Sequence, residues 1–326
     1  MTDTFAIVAT KPGGTDVLEW RQISLPAPGP GEVLILNTAI GVNFIDVYFR
    51  TGAYPWPSDG PLVLGQESAG VVEALGQGVT GFRRGDRVAT VVRHGAYATH
   101  RIVPAAMLVK LPKTVSDAQA AASMLKGLTA SYLIHSSYAV KAGDTVLFHA
   151  AAGGVGLIAG QWLASKGVTV IGTAGGPDKC ALALKNGYHH MIDYRSEDFV
   201  ARVMELTGGK GVEAVYDSVG ADTYPGSLKV LKPLGTFVSF GQSSGPATGF
   251  KLADLAAGAY RATRPTLFVY LADRSWLERA SRQMFRLIGN GTLKLSVDTS
   301  FTLKDAGAAH DALEGRKTTG SLVLMP

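Results

Sequence analysis

The sequence predicts an α/β protein of two domains, one built from short β-strands and one built on a doubly wound parallel sheet. Residues 144–241 alternate between β-rich apolar runs and helix-compatible segments, an order typical of a parallel sheet with helices on both faces. Residues 1–115 instead carry short β-rich segments separated by glycine and proline, as in a small, mostly antiparallel barrel or sandwich. The chain has 326 residues, which is longer than a single hydrophobic core usually accommodates, so two domains are expected.

Five strands are predicted before residue 115, and the first helices follow them. Each strand is a short run rich in β-forming residues and bounded by turn residues. The strands are Phe5–Ala9, Val33–Ile40, Gly70–Ala74, Arg87–Val92 and Tyr97–Val103. Ser116 and Gln119 form a capping-box pattern that opens a helix, and a second helix is predicted over Thr129–Tyr138.

A strand, a helix and a second strand open the alternating region. Thr145–Phe148 is the apolar first strand, and the helix is predicted over Val155–Lys166. Gly167 ends this helix, and the next strand is Val168–Ile171. The order is that of a βαβ unit, which is the building block of nucleotide-binding sheets.

The turn between this first strand and its helix is rich in glycine. Ala151-x-Gly153-x-x-Gly156 fits the dinucleotide-binding fingerprint, with alanine in place of the first glycine. Such a turn presents backbone N–H groups and a helix N-terminus to a phosphate. We therefore predict that the nucleotide contacts Gly153, Gly154, Val155 and Gly156.

The rest of the chain continues the alternation and then ends in a mixed tail, with glycines closing several of the helices. The later helices of the alternating region are predicted at Asp178–Asn186, Glu197–Thr207 and near Leu228, and its later strands at Met191–Tyr194, Val212–Tyr216 and Thr236–Phe240. The tail adds helices at Ser275–Ile288 and Lys304–Glu314, and strands at Leu293–Val297 and Leu322–Leu324.

The residues that close the second strand of the βαβ unit indicate which nucleotide binds. An NAD site usually has an Asp or Glu there, which accepts a hydrogen bond from the ribose 2′-OH. Here the strand ends Gly172-Thr173-Ala174, with no carboxylate to repel a 2′-phosphate. Thr173, Lys179 and Tyr194 could supply a hydroxyl, a cation and a phenol to a phosphate dianion, which favours NADPH. The alternative is a solvated loop that happens to carry one lysine.

Composition narrows the class of protein. The chain is 46% hydrophobic and 17% charged, which is ordinary for a globular enzyme. Its apolar runs are short and its N-terminus lacks a basic region, so we expect neither a membrane span nor a signal peptide. The net charge of +5 suits an anionic cofactor, but the basic residues are scattered, so nucleic-acid binding is not expected. Cys180 is the single cysteine, which fits a reducing cytosol.

Seven sequence blocks occur in the order typical of one enzyme family. Two of them, Asn43-Phe-Ile-Asp46 and Ser239-Phe-Gly-x-Ser-Ser-Gly245, are much more specific than the glycine turn. The seven are Gly41–Tyr48, Gly65–Gly70, Lys126–Ala130, Ala150–Gly156, Asp193–Arg195, Tyr216–Gly220 and Ser239–Gly245. Through them, essentially the whole chain resembles the NADPH:quinone oxidoreductases of the zeta-crystallin type, which are zinc-free members of the medium-chain dehydrogenase/reductase superfamily.

This resemblance implies an architecture and an assembly. Residues 1–125 and 269–326 would form a GroES-like catalytic domain, and residues 126–268 a Rossmann domain that binds NADPH. The active site would lie in the cleft between the two domains. The enzyme would be a cytoplasmic homodimer or homotetramer joined through its nucleotide-binding domains.

The resemblance also implies catalytic residues. Asn43, Asp46 and Tyr48 would lie at the nicotinamide end of the site, and Tyr54 on the substrate wall. Asn43 and Asp46 could hydrogen-bond the carboxamide or ribose, while the two tyrosines offer flat faces for stacking. In the alternative interpretation, Asn43 and Asp46 cap or turn a helix that begins near Phe44, and the two roles can coexist.

Further cofactor contacts are expected in the nucleotide-binding domain and the C-terminal loop. Phe240, Gly241 and Ser243 follow the carboxyl end of a strand, where doubly wound sheets bind ligands. Arg316 resembles the family arginine that reaches the 2′-phosphate, although the residues after it depart from the family pattern, and an exposed loop arginine is the alternative. The resemblance adds Asn43, Thr129, Tyr132, Ser218, Leu267 and Phe268 as cofactor contacts.

No metal site is expected. Zinc-dependent members of the superfamily need thiolate and imidazole ligands. Gln66 stands where those members carry histidine, and Cys180 falls in the nucleotide-binding domain. The histidine pairs His94 with His100 and His189 with His190 come without a third ligand.

Three functions stay open. A quinone is already an electrophile whose reduced oxygens take protons from water, so a site without metal or an obvious acid suits a quinone reductase. An enoyl or 2-alkenal reductase on the same scaffold would need a proton at the α-carbon, and Tyr48 is the one nearby candidate donor. The third function is that of a nucleotide-bound structural or RNA-binding protein, although the sequence shows no aromatic–basic cluster of the kind that binds RNA.

Overall fold

The computed structural model describes residues 1–57, 59–315 and 320–326. These residues form two compact units. The terminal unit consists of Met1–Leu125 and Asp273–Pro326, and the central unit is Lys126–Ala272. The sequence places the second boundary at 268–269, whereas the helix Leu267–Leu271 stays with the central unit and the change of unit comes after Ala272.

Strands and helices are distributed over both units. The strands are β1 (Thr2–Ala9), β2 (Leu18–Leu25), β3 (Glu32–Gly41), β4 (Leu62–Val63), β5 (Glu67–Leu75), β6 (Arg87–Val91), β7 (His100–Pro104), β8 (Leu108–Lys110), β9 (Thr145–Phe148), β10 (Thr169–Ala174), β11 (His190–Asp193), β12 (Val212–Asp217), β13 (Leu231–Ser239), β14 (Arg261–Thr263), β15 (Val297–Thr302) and β16 (Ser321–Met325). The helices are α1 (Phe44–Thr51), α2 (Asp117–Ala121), α3 (Met124–Tyr132), α4 (Gly154–Ser165), α5 (Pro177–Leu184), α6 (Phe199–Leu206), α7 (Tyr224–Lys229), α8 (Leu267–Leu271), α9 (Arg274–Gly289) and α10 (Ala306–Glu314). Within the described residues, none of these helices is long and apolar enough to span a membrane.

The terminal unit is built on two sheets. β1 pairs antiparallel with β2 along its full length and with β4 at its end. The larger sheet runs in the order β15-β16-β3-β5-β6-β8, and β7 also pairs with β3. Ile40, Leu64, Tyr97 and Leu322 belong to one buried apolar cluster that these strands share. Because β3 is central and α1 begins three residues after it, this sheet fixes where α1 starts.

The central unit is a doubly wound parallel sheet, as the sequence predicts. Its strand order is β11-β10-β9-β12-β13-β14, and each neighbouring pair is parallel. The chain moves outward from β9 to β11 and then returns to β12 on the other side of β9. The topological switch point therefore lies between β9 and β12, which is where such sheets bind ligands. Leu147, Ile171 and Val215 from three of the strands pack together in its core.

The sequence does not predict β4, β8, β14 or α8, and three further elements differ from the prediction for identifiable reasons. The sequence does not predict β2, because its residues are exposed or only partly buried and its alternation is weak. α3 ends at Tyr132 rather than Tyr138, since the hydrogen bonding widens to i→i+5 and the N–H of Tyr138 donates to the carbonyl oxygen of Leu133. β15 begins at Val297 rather than Leu293, because the buried Leu293 instead closes α9 by donating its N–H to Leu287.

Candidate active site

The glycine-rich turn of the central unit is shaped to hold a dinucleotide. Gly153 is the extended N-cap residue of α4, and no side chain of the described residues caps this helix. The first N–H groups of α4 are therefore available to an anion. A Cβ at Gly156 would lie 2.5 Å from the carbonyl oxygen of Ala151, so only glycine permits this close turn. The local geometry fits the cofactor that the fingerprint predicts.

Neighbouring strands bring several predicted cofactor residues to one edge of the sheet. The glycine turn follows β9, Ser218 follows β12, and Phe240, Gly241 and Ser243 follow β13. The N–H of Ser243 donates to the carbonyl oxygen of Ser218 over 3.1 Å, which joins two of these loops. The structure thus gathers these residues at the edge where ligands bind, and their individual contacts with cofactor stay predictions.

Arg264 organises the loop after β13, and sequence reasoning missed it. Its Nη1 donates to the carbonyl oxygens of Ser239 and Gly241 over 3.2 and 3.1 Å, and its Nη2 donates to Gln242 Oε1 over 3.2 Å. These partners are 22–25 residues away along the chain, so local sequence pattern carries no signal for them.

The loop after β10 carries the residues predicted to face a 2′-phosphate. A Cβ at Gly175 would lie 2.6 Å from the Tyr194 hydroxyl and 3.1 Å from Arg195 Nε, so both side chains lie over this glycine. Lys179 lies in the first turn of α5, just beyond it. Asp193 fixes the arrangement, because its Oδ1 accepts the N–H groups of Gly176 and Arg195 over 2.8 and 3.1 Å. Arg195 is a cation that the sequence did not single out for this role.

Thr173 is not available as the sequence predicts. Its side chain is buried, and its Oγ1 lies 2.9 Å from Nδ1 of His149 in the core of the central unit. The end of β10 thus turns this hydroxyl into the core, which does not fit the prediction that it donates to a phosphate. Arg316, the other predicted phosphate contact, lies outside the described residues.

Two helices carry the remaining predicted cofactor residues of the central unit. The ring of Tyr132 on α3 stacks on that of Tyr270 on α8, with centroids 4.7 Å apart and planes 5° apart. Burial raises the pKa of the Tyr132 phenol. Thr129 lies one turn before Tyr132, and Leu267 and Phe268 open α8. The stacked pair joins the two helices, while the contacts of these residues with cofactor stay predictions.

Asn43 and Asp46 cap α1, as the alternative interpretation predicts. The N–H of Asn43 donates to Asp46 Oδ2 over 2.9 Å, and the Asn43 amide donates to Glu67 Oε1 over 2.8 Å. The Tyr97 hydroxyl also donates to Asp46 Oδ2 over 3.2 Å. All four residues are at most 4% exposed. These contacts make Asp46 a positioning residue, which sets the start of α1.

Beyond this cap lies a set of rings that we call the aromatic wall, formed by Phe44, Tyr48, Phe49, Tyr54 and His94. Tyr54 lies 5.3 Å from Tyr48 and 5.6 Å from Phe49 between ring centroids. Phe44 extends the wall beside Tyr48, and His94 packs edge-on against Phe49 at 4.5 Å. The sequence predicts the two tyrosines, whereas Phe49 and His94 emerge only from the fold. The rings are tilted or edge-on to one another and Phe49 is buried, so a planar ligand would stack on the accessible faces of single rings such as those of Tyr48 and Tyr54.

The hydroxyl of Tyr48 is a weak acid. Burial raises the pKa of this phenol above its usual value of 10.0, and neighbouring Tyr54 raises it further. The phenol therefore keeps its proton near neutral pH and can donate a hydrogen bond.

Gln66 and the histidines form no metal site in the part of the chain that the structure describes. No group of three or more His, Cys, Asp or Glu residues there is placed to hold a metal ion. Gln66 is 1% exposed, and among the described residues its amide has no hydrogen-bond partner. Cys180 lies on α5, and burial raises the pKa of its thiol, with Asp193 and Glu197 raising it further. The donor set does not fit zinc.

His310 on α10 supports the cap of α1 from the protein interior. It is fully buried, and its Nε2 lies 2.9 Å from the Tyr97 hydroxyl. Because that hydroxyl donates to Asp46, His310 must donate its Nε2–H to the phenol oxygen. Burial, together with the nearby cation of Arg50, lowers the pKa of His310 to about 3.

The protein is expected to lose stability on acidification through His310. Its pKa is about 3 when folded and 6.5 in the unfolded chain, so the contribution is complete above pH 6.5 and falls as pH drops towards 3. At pH 4 the loss should be roughly 3 kcal/mol. Urea titrations from pH 7 to 4 should show a smaller pH dependence for His310→Gln than for the wild type. Exposed His190→Gln serves as the control, and equal slopes in all three proteins would contradict the assignment.

Known protein families and solved structures match both units of this fold. Residues 29–113 match the alcohol dehydrogenase GroES-like domain family, and residues 154–276 match the zinc-binding dehydrogenase family. A quinone oxidoreductase of Pseudomonas aeruginosa is 47% identical over 96% of this chain and 97% of its own length. A 2-haloacrylate reductase of a Burkholderia species is 45% identical over 98% of each chain. The structure of Escherichia coli quinone oxidoreductase complexed with NADPH matches with a TM-score of 0.95 and 46% identity, covering 99% of this chain and 100% of that one.

The GroES-like and Rossmann-type units define an oxidoreductase of the medium-chain dehydrogenase/reductase superfamily, which confirms the predicted fold class. Relatives from several bacteria extend the match at 46–48% identity over nearly the full length. The chain belongs to the quinone oxidoreductase family, and the resemblance inferred from the seven sequence blocks is confirmed.

Proposed function

We propose that this chain is an NADPH-dependent quinone oxidoreductase that acts on small-molecule quinones without a metal. The observation that carries the proposal is the aromatic wall, which pairs aromatic ring faces with a phenol that keeps its proton. A planar acceptor that needs no enzymatic acid matches such a surface. Relatives named quinone oxidoreductases, at 46–48% identity, support the same conclusion.

NADPH is the cofactor, and it supplies the reducing equivalents when bound. The α4 N-terminus and the glycine turn hold its pyrophosphate through backbone N–H groups. Lys179, Tyr194 and Arg195 hold the 2′-phosphate by charge-assisted hydrogen bonds. Arg264 keeps the loop after β13 in one conformation, so that its backbone is ready for the ligand.

The terminal unit orients the acceptor. The rings of Tyr48 and Tyr54 limit a quinone to stacked arrangements, which reduces the entropic cost of reaching a reactive geometry. The Tyr48 hydroxyl donates a hydrogen bond to an acceptor oxygen and retains its proton. Protons for the reduced quinone come from water, so no side chain has to act as an acid. Asp46 holds α1, and hence Tyr48, in place.

A second candidate is reduction of activated alkenes, which the 45% identity to a 2-haloacrylate reductase favours. Such a reaction places a proton on carbon, and Tyr48 would have to deliver it. Quinone reduction is the better-supported function, because it needs no proton donor for a carbon atom and several relatives at 46–48% identity are named quinone oxidoreductases.

The assembly and location follow the family. We place the enzyme in the cytoplasm as a homodimer or homotetramer joined through the central unit. In support, β14 is a terminal strand of its sheet in the described part of the chain, and an edge strand offers N–H and C=O groups to a second copy.

Tyr54→Ala is expected to raise KM for large quinones about 2- to 10-fold while kcat changes little. The substitution removes a ring that contacts both Tyr48 and Phe49, and an aromatic contact is worth about 0.5–1.5 kcal/mol beyond its area. Steady-state kinetics with naphthoquinone- and benzoquinone-sized acceptors measure the effect. Tyr54→Phe keeps the ring and should retain the wild-type KM. An unchanged KM in Tyr54→Ala would show that the aromatic wall does not contact the acceptor.

A further inference from the structure

A chain of hydrogen bonds is buried at the carboxyl ends of three strands in the central unit. It runs from Thr173 on β10 through His149, which follows β9, to Ser227 on α7 and Asp217 on β12. The distances are 2.9 Å from Thr173 Oγ1 to His149 Nδ1, 3.0 Å from His149 Nε2 to Ser227 Oγ, and 3.1 Å from Ser227 Oγ to Asp217 Oδ2. Each residue is at most 2% exposed. We call these four residues the buried relay.

Asp217 sets the direction of its hydrogen bond with Ser227. Its carboxylate can only accept, and Oδ2 receives the hydroxyls of Thr223 and Ser227 over 2.7 and 3.1 Å. Oδ1 receives the N–H groups of Val219 and Gly220 over 2.8 and 3.0 Å. The hydroxyl hydrogen of Ser227 therefore points to Asp217, and the Ser227 oxygen is left as an acceptor.

The acceptor role of the Ser227 oxygen determines the tautomer of His149. Burial lowers the pKa of this imidazole, against the opposing effect of Asp217, so the ring is neutral near pH 7. Since Ser227 accepts, Nε2 carries the hydrogen and Nδ1 holds a lone pair. Thr173 must then donate its hydroxyl hydrogen to Nδ1. The only hydroxyl hydrogen of Thr173 is then used in this bond, so the Thr173 oxygen can only accept hydrogen bonds from other groups.

The arrangement is not that of a nucleophilic serine. A serine activated by histidine donates its hydrogen to the imidazole and lies open to substrate. Here Ser227 donates to Asp217 and accepts from His149, and it is fully buried. These four residues therefore do not form a hydrolytic Ser–His–Asp site. The remaining role is a structural one within the protein.

We propose that His149 is a positioning residue for the nucleotide site, which joins the ends of β9, β10 and β12 and turns the hydroxyl hydrogen of Thr173 away from the cofactor. The proposal rests on the proposed binding of NADPH. Backbone contacts strengthen the junction, because the N–H of His149 donates to Tyr216 on β12 and the N–H of Ala151 donates to Thr173 on β10, each over 2.9 Å. Thr173 then contributes nothing to the preference for NADPH over NADH.

Nitrogen-15 NMR of the histidine side chains tests the tautomer without cofactor or activity. We expect the His149 signals, assigned by their loss in His149→Phe, to show a protonated Nε2 and an unprotonated Nδ1 at pH 7. An Nδ1–H tautomer or an imidazolium would overturn the inference, because either would reverse the hydrogen bond to Thr173.

Matched Thr173 variants test the consequence for the cofactor. Thr173→Val should lower Tm by about 2–8 °C, because it leaves a buried lone pair unpaired, whereas Thr173→Ser should stay near the wild type. In both variants the ratio of NADPH to NADH affinity, measured by titration, should stay within about twofold of the wild type. A loss of tenfold or more for NADPH alone would overturn the inference. A wild-type protein that fails to bind NADPH while showing the expected tautomer would instead overturn the proposed function.

Discussion

Lys179→Ala is expected to weaken NADPH binding about 10- to 150-fold and to leave NADH binding almost unchanged. The lysine lies in the first turn of α5, beside the loop where Tyr194 and Arg195 converge on Gly175. Losing one charge-assisted hydrogen bond to the 2′-phosphate costs roughly 1.5–3 kcal/mol, and NADH has no such phosphate to lose. Equilibrium titrations of both cofactors, followed by protein fluorescence at fixed ionic strength, give the two ratios.

Lys185→Ala is the matched control for this experiment. It removes the same charge from the other end of α5, where Lys185 is the exposed C-cap residue. A general electrostatic effect would weaken NADPH similarly in both variants, whereas a direct contact affects only Lys179→Ala. Equal losses of NADPH and NADH affinity in Lys179→Ala would contradict the phosphate assignment.

Tyr48→Phe is expected to keep most of the kcat for quinones. It removes only the hydroxyl and leaves the ring in the aromatic wall, and a quinone takes its protons from water. If alkene reduction occurs and uses this proton, the same substitution should lower that activity roughly 10²–10⁴-fold. Parallel kcat measurements on a quinone and on 2-haloacrylate separate the two outcomes.

Tyr54→Phe controls for loss of a phenol from the same wall and should change neither activity by more than a small factor. A collapse of quinone turnover in Tyr48→Phe, with NADPH affinity intact, would mean that proton delivery is part of the quinone reaction. The mechanism proposed here would then be wrong.

The sequence predicts those parts of the fold that depend on local pattern. The glycine turn, the alternating strands of the central unit and the cap of α1 follow from residues close together in the chain, and each is found. β2 is missed because no residue in it is fully buried, so its pattern carries little signal.

The residues missed in the site depend on contacts between distant segments. Arg264 reaches a loop more than 20 residues away, and His94 joins the aromatic wall through Phe49. The place of Thr173 at the end of β10 predicts a phosphate contact, and only the fold reveals that its hydroxyl lies 2.9 Å from Nδ1 of the buried His149. The sequence pattern predicts where β10 ends, but it does not predict that His149 is the hydrogen-bond partner of Thr173 in the core.

The most direct test of quinone reductase activity is NADPH oxidation by the purified wild-type enzyme with quinones, 2-haloacrylate and 2-alkenals as alternative acceptors. We expect turnover with quinones, at rates that follow the reduction potential and planarity of the acceptor, because aromatic rings favour flat acceptors and a quinone needs no proton donor for a carbon atom. Activity on the alkenes alone, with no quinone reduced, would contradict it.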